Sequence, residues 1–362
     1  MGGGRVIIEP LIVPESLDGP GGEDFVAFVE LLNAQARRDG GSDLVKRHVT
    51  DLLSQHQAQQ DYRRAAILAR EDGVIIGAGC VEYDRAAERT CEAEIAMAAS
   101  HESDALADAL WRATEDLARA EGRSVLATWS HHRYSEGGER LVPPTGAGSL
   151  PRDAQTGHLL RNGFVLQQVD RGSVFDLHGS YDGVDALLER ALAKAGPDYR
   201  VEWWTGATPE EHLEGLAAAI TRMSTDAPSG DMDVEETPWS GDRLRRREAR
   251  IERAGALLGV TAVIHVPTGT VAAFNELGVP ADRSEVTSQY ATLVLAEHRG
   301  RKLGSIVKCV GLKRWHEAVP ESPCVVTFNA EENRYMLDVN EAVGFTPIVS
   351  GGAWEKRLTV EG

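Results

Sequence analysis

Apolar positions change their period several times along the chain, and each change marks an element. Short alternating or continuous apolar runs predict strands at Arg5–Pro10, Ala65–Glu71, Val74–Tyr83, Cys91–Ala98, Ser124–Trp129, Phe164–Val169 and Ser173–Leu177. Asp72-Gly73, between the second and third runs, is a hairpin-turn pair. A helix is predicted at Glu23–Arg38. Leu106, Ala109, Leu110, Ala113 and Leu117 share one helical face and predict a second, and Thr156–Asn162 a short third.

The order then repeats. Tyr199–Trp204 reads as a strand, Pro209–Met223 as a helix with Thr208 as its N-cap, and Arg243–Ala254 as another helix. Ala256–Val266 and Val271–Leu277 predict a hairpin around Pro267-Thr268-Gly269. Val286–Leu295, Cys324–Phe328 and two runs at the end predict strands. Between them lie a helix carrying Leu303, Ile306, Val307 and Val310, and another at Glu332–Val343. The pattern predicts an α/β (mixed α+β) protein of two tandem domains, each a mostly antiparallel central sheet flanked by helices. The turn-rich Gly179–Gly183 sets the boundary. It gives domains 1–182 and 183–362, with Val184–Lys194 as a connecting helix.

Composition narrows the class without naming a reaction. At 362 residues, 42% apolar and 26% charged, each half is long enough for its own core. A net charge of −18 disfavours non-specific nucleic-acid binding and would attract cationic small molecules. Even Arg243–Arg253, broken by Glu248 and Glu252, reads as a solvated helix and not a nucleic-acid surface. No apolar run reaches the roughly 20 residues of a membrane span, and Met1-Gly2-Gly3-Gly4-Arg5 lacks a signal-peptide core. Cys80, Cys91, Cys309 and Cys324 form no close-spaced motif, and His131, His132 and His158 lack metal-ligand spacing. Free thiols, no metal and a cytoplasmic location are expected.

The chemistry concentrates at Thr292–Gly304, TLVLAEHRGRKLG, where an apolar strand enters a basic, glycine-bearing turn and a helix leaves it. Free amides at a helix start favour an anion. The segment resembles the Arg/Gln-x-x-Gly-x-Gly/Ala acyl-coenzyme A signature of the GNAT (GCN5-related) N-acetyltransferases, with Arg299 in the first place and Gly304 in the last. Asn333 and Gly344-Phe345 are similar to the family's downstream Asn…Gly-Phe segment. In the first half, only Asn162-Gly163-Phe164 and the element order carry the likeness.

The resemblance implies acetyl-coenzyme A as acyl donor. Its pantetheine arm would lie along Leu293, Val294 and Leu295, with the backbone of Leu293 and Leu295 pairing to it. Its pyrophosphate would sit on Arg299, Gly300, Arg301, Lys302, Gly304 and Ser305, and its thioester beside Asn329 and Asn333. Lys302 stands where the family has its middle glycine, so the backbone there is expected to be helical and not left-handed.

Acyl transfer to an amine needs a base for the amine and a proton for the leaving thiolate. Glu285, at the start of the strand feeding the signature, is the expected base, with Glu276 and Asp282 as competitors. The family's usual acid tyrosine falls on Asn340, which leaves Tyr290 and Tyr335 as candidates. The implied acceptor is a small-molecule amine, and the acidic segment Asp226–Glu236 suits a cationic one. In the first half the matching turn, Ala99–Leu106, has no glycine or arginine and offers Glu102 and Asp104 to a helix start. That arrangement suits the helix dipole and repels a pyrophosphate, so this half is expected to be a degenerate copy. The tandem plan is similar to that of mycothiol synthase and related actinobacterial proteins. A thiol-biosynthetic acetyl transfer and a non-catalytic acyl-coenzyme A sensor both stay open, as do a monomer and a homodimer.

Overall fold

The computed structural model describes residues 5–135, 137–226 and 228–359; Met1-Gly2-Gly3-Gly4, read above for a signal core, lie outside them. The first elements are β1 (Ile7–Pro10), α1 (Gly22–Gly40), α2 (Val49–Gln57), β2 (Tyr62–Glu71), β3 (Val74–Asp84), β4 (Thr90–Met97), α3 (Asp104–Ala120) and β5 (Val125–Arg133). There follow β6 (Arg140–Leu141), β7 (Leu150–Pro151), α4 (Ala154–Arg161), β8 (Val165–Asp176), α5 (Asp182–Ala195), β9 (Tyr199–Thr205), α6 (Glu210–Thr221), α7 (Met223–Asp226) and α8 (Gly241–Arg253). The chain ends with β10 (Leu257–His265), β11 (Thr270–Val279), β12 (Thr287–Val294), α9 (Leu303–Ala318), β13 (Cys324–Ala330), α10 (Arg334–Val343) and β14 (Thr346–Arg357). The paired runs expected at 164–177 and at the end are each one continuous strand, β8 and β14. The periodicity does not single out α2.

Two compact units emerge. The first comprises Met1–Asp170, Ser229–Glu235 and Val349–Gly362, the second Arg171–Pro228 and Glu236–Ile348. The segments 229–235 and 349–362 are exchanges that a single cut near Gly183 leaves out.

In the first unit the strands lie in the order β1-β2-β3-β4-β5-β14. All neighbours are antiparallel except β4 and β5. Asp72 and Gly73 both have positive φ, 50° and 84°, as the two-residue hairpin requires. The carboxy-terminal strand closes this sheet, Val349–Arg357 pairing with Arg133–Val125 of β5. One face packs Leu68, Ala78 and Ala96 under Phe25, Phe28 and Leu32 of α1 and Leu53 of α2. The other packs Ile76 and Met97 under Leu106 and Leu110 of α3.

The acidic segment expected to recruit an acceptor is partly spent inside this unit. Glu235 accepts from the amides of Glu88, Arg89 and Thr90 and from Thr90 Oγ1, and Asp233 pairs with Arg89 at 2.9 Å. Burial alone would raise the Glu235 carboxyl, but those bonds overcome it and hold it at about 2.

In the second unit the order is β8-β13-β12-β11-β10-β9. Leu293 and Phe274 face α6 and α8 through Leu213, Leu216 and Leu244. Val294, Val263 and Ala273 face α9 through Leu303, Ile306 and Val307. Trp315 of α9 is fully buried and donates through Nε1 to Thr287 Oγ1 at 2.7 Å. Two local expectations change. Thr208 does not cap α6; its amide and hydroxyl donate to buried Glu248 of α8 at 2.9 and 2.6 Å. The basic helix α8 is likewise not simply solvated, because Arg243 is buried and stacks 4.4 Å from the Trp239 ring. Among the described residues no helix is long and apolar enough to cross a membrane, no group of side chains is arranged to hold a metal, and all four cysteines are free.

His56 packs edge-on against Phe25 and Phe28 at 5.4 and 6.0 Å. Burial first, and then the nearby Arg64 cation, lower its pKa to about 4. Its neutral form is the folded form, so its stabilisation is present above the ordinary pKa near 6.5 and is lost as pH falls toward 4. We expect on the order of 3 kcal/mol of unfolding free energy to be lost over that window. In urea titrations at several pH values, His56→Leu should flatten the slope, and an unchanged slope would remove His56 as its source.

Candidate active site

β12 pairs antiparallel with β11 over most of its length, but parallel with β13 only at Thr287↔Val325 and Ser288↔Val326. Beyond Ser288 the two strands part. The β11–β12 register slips between Glu276↔Ala291 and Leu277↔Gln289, so Tyr290 is an extra residue. Such a bulge adds twist and turns its strand away from a neighbour.

One hydrogen bond fixes which backbone groups face the opening. Leu295 N–H donates to Ala272 C=O at 3.0 Å, toward β11. Successive residues of an antiparallel strand alternate in this respect. Leu293 and Leu295 therefore bond across to β11, and Thr292 and Val294 turn their amides and carbonyls to the open side. This corrects the expectation that Leu293 and Leu295 would meet the pantetheine arm.

At the mouth of the opening, a short 3-10 turn at Ala296–His298 leads to Arg299, and α9 begins at Leu303. Among the described residues, the amides of Gly300, Arg301, Lys302, Leu303 and Gly304 have no acceptor. Gly300 has φ 80°, and Lys302, at φ 61° and ψ 22°, is left-handed. The expectation of a helical backbone at Lys302 is therefore wrong. The lysine adopts the glycine's conformation, at a cost of about 1–2 kcal/mol.

Arg299, Arg301 and Lys302 are exposed. Arg299 lies 3.5 Å from Asp226, and its Nε is 3.4 Å from the Val294 carbonyl. Ser305 is buried with its hydroxyl unpartnered. A Cβ on Gly304 would stand 3.4 Å from Val294 and about 4 Å from the Tyr335 ring, so this wall is close but not filled.

The other expected residues separate. Tyr335 belongs to the turn: its ring adjoins Gly304, and Lys302 Nζ lies 5.8 Å from its centroid. Burial raises its phenol above the ordinary range. Asn333 is the N-cap of α10, its side-chain oxygen accepting from Met336 N–H, so that oxygen is committed. Asn329 accepts from Asn340 Nδ2 at 2.7 Å beside the parted strands. Tyr290 is on the α8 side, 6.0 Å from Arg247 and against Gly278. Glu285 precedes the zipped pairs, about 20 Å of strand from Ala291. Glu276, which faces Ala291, is 2% exposed and grips Arg247 through two bonds of 2.7 and 3.0 Å.

A network that the sequence did not announce lies where the strands part. Lys308 is buried, and its ammonium donates to Asn340 Oδ1 at 2.7 Å and Gln289 Oε1 at 3.2 Å. Gln289 Nε2 reaches Thr327 Oγ1 at 2.6 Å. The available signal was a lysine on the apolar face of α9, one turn after Gly304.

The first unit repeats the parting and fills it. β4 and β5 pair only at Thr90↔Val125, Cys91↔Leu126 and Glu92↔Ala127. Ala98 N–H donates to Ile76 C=O, so Met97 faces the opening as Val294 does. Met97 is occupied: its N–H donates to Gln35 Oε1 at 3.2 Å, and Arg38 donates to its carbonyl at 2.6 Å. The turn from Met97 to Asp104 is two residues shorter than the turn from Val294 to Leu303. Its N-cap Ser103 takes the Leu106 amide through its own side chain.

These features define the class by fold: a tandem arrangement of the GCN5-related acetyltransferase (GNAT) fold. Solved structures agree. A tandem GNAT protein from the clavulanic acid biosynthesis pathway, determined without acetyl-coenzyme A, superposes with a TM-score of 0.73 at 20% identity, covering 99% of this chain and 100% of that one. A GCN5-related N-acetyltransferase from Sphaerobacter thermophilus gives 0.59 at 12% identity over 99% and 98%. A glucosamine N-acetyltransferase region of a fungal multi-domain GH3 β-N-acetylglucosaminidase gives 0.60 at 14% identity, covering 98% of this chain and 38% of that one. No family model and no curated protein matches the sequence. Identities this low establish the fold.

Lys302→Gly should relieve the left-handed strain. Set against the glycine's unfolded-state entropy, the expected net gain is about 0.5 kcal/mol. Urea unfolding measures it, and a clear loss would mean that the lysine side chain contributes more than its backbone costs.

Proposed function

We propose that this chain transfers an acetyl group from acetyl-coenzyme A to the amine of a small molecule, in the cleft where β12 leaves β13. The observation that carries the reading is the run of five unpartnered amides, Gly300–Gly304, next to a strand edge where the Val294 amide and the Thr292 groups are open and only the weakly held Arg299 Nε, at 3.4 Å, meets the Val294 carbonyl. A diphosphate suits the first and an extended amide-bearing arm the second. Three exposed cations and the unpartnered Ser305 hydroxyl fit the same cofactor. When bound, it supplies the activated acyl group, and the chain's own residues hold and orient it. The two N-acetyltransferase likenesses, one to a glucosamine-acetylating region, support an amine acceptor.

The acceptor would approach on the α6–α8 side, where Tyr290, Trp239 and the Arg247–Glu276 pair stand. Of the carboxylates weighed, Glu276 has the register to accept the amine's proton through a water, with Arg247 fixing its orientation. Glu285 is too far along the strand. A second reading, a non-catalytic acyl-coenzyme A sensor, draws on Asn340 in place of an acid tyrosine and on Glu276 being tied to Arg247. Coenzyme A release with a panel of amines separates the two, since a sensor binds and never turns over. We assign cofactor binding to the second unit alone, because Gln35, Arg38 and Ser103 take up the equivalent groups of the first.

Gly304→Glu should abolish coenzyme A binding in calorimetry, and since its Cβ meets only ordinary contacts, a circular dichroism spectrum and urea midpoint like the wild type should show that the fold survives. Retained affinity would reject the site. The same calorimetry on the unaltered protein should give one coenzyme A per chain, and two would overturn the assignment of the first unit. Turnover should fall at least about 10²-fold in Glu276→Gln and stay near wild type in Glu285→Gln. The reverse order would restore Glu285 as the base.

A further inference from the structure

Lys308 is a buried cation in a pocket of neutral dipoles. It is 1% exposed. The groups facing it are Gln289 from β12, Thr327 just beyond on β13, Asn340 from α10, the Phe345 ring at 5.5 Å and Cys309 on its own helix. None is a carboxylate. A buried ammonium normally has an anionic partner, since dipoles alone replace its hydration poorly. Burial accordingly lowers its pKa to about 7, and a thiolate beside it would raise it again and hold the ammonium charged.

Its two acceptors pass polarity onward. Asn340 donates to Asn329 Oδ1 and Gln289 to Thr327 Oγ1, both on β13. Gln289 and Thr327 are the first residues past the last paired positions of their strands, so their bond spans the apex of the opening. The arrangement lacks only a negative charge at the apex.

We propose that Lys308, acting through Asn340 and Gln289, supplies the positive charge that stabilises the coenzyme A thiolate as it leaves. This rests on reading the cleft as an acetyl-coenzyme A site. In the step it serves, the acetyl carbon keeps its new bond to the acceptor nitrogen and the carbon–sulfur bond breaks. The electron pair stays on sulfur, and the thiolate afterwards takes a proton from water. Lys308 gives up no proton and is a positioning residue. Its charge does the task usually given to a tyrosine at the position of Asn340.

The test needs no acceptor. Free coenzyme A is bound to the purified full chain, and its thiol is titrated by thiolate ultraviolet absorbance. In the wild type the acid constant of the bound thiol should exceed that of coenzyme A in solution by about tenfold or more. Lys308→Met should bind coenzyme A in the same calorimetric range and lose that shift. Lys308→Gln serves if the first variant does not fold, and Lys308→Arg should keep the shift. A wild-type thiol that titrates as in free solution overturns the proposal without any variant, and so does a shift that survives both neutral substitutions. No heat of binding in the wild type would instead strike the cleft assignment and the proposal together.

Discussion

The second unit depends on one departure from sheet regularity, the parting of β12 from β13 after Ser288. A strand edge inside a sheet must give its amides and carbonyls a partner, because unpaired buried backbone groups are costly. β12 meets that demand on one side through β11, and past Ser288 it leaves the other side open except for the long Arg299 contact to the Val294 carbonyl. The other features lie along that edge. The Tyr290 bulge bends the strand, the Gly300–Gly304 amides gather at its mouth, and the Lys308 network closes its apex. The proposed ligand, extended, with an anion at one end and a thioester at the other, would answer all three.

The first unit is a natural control for this argument. It has the same β4–β5 parting and the same alternation, with Met97 in the place of Val294. There the open groups are answered from within, by Gln35 and Arg38 of α1, and the turn beyond is two residues shorter and carries a side-chain cap. Filling the edge with side chains satisfies the backbone and removes the reason to bind anything. The contrast is one of occupancy: two partings of the same kind, one answered by side chains and one largely unanswered.

Much of the fold was legible because it is written locally. Asp72-Gly73, the apolar faces of α3 and α9, and the glycine–phenylalanine exits of α4 and α10 all announce themselves within a few residues. The Arg299–Gly304 turn did so too. What was not legible depends on register or on partners far away in sequence. Whether Leu293 or Val294 faces the opening is a matter of parity, fixed by a bond to Ala272. Asn333 looked like a ligand contact and is a cap, because only geometry decides where a short amide turns. Gln35 and Arg38 reach Met97 across some sixty residues. No motif marks Lys308, since its meaning lies in what surrounds it.

Three unfavourable features share one short stretch. Lys302 is held left-handed, Ser305 buries an unpartnered hydroxyl, and Lys308 buries a charge. Sequences favouring stability alone would place glycine, alanine and methionine there, at no evident loss to packing. Strain and unmet polarity of this kind gather where a binding partner compensates them. The diphosphate of the proposed ligand would meet the second, the thiolate formed as its thioester breaks would meet the third, and binding would stabilise the folded unit by mass action. On the proposed reading, the residues that lower the stability of the unit are the ones that would meet the ligand's charge, and binding rather than folding would be the reason to keep them.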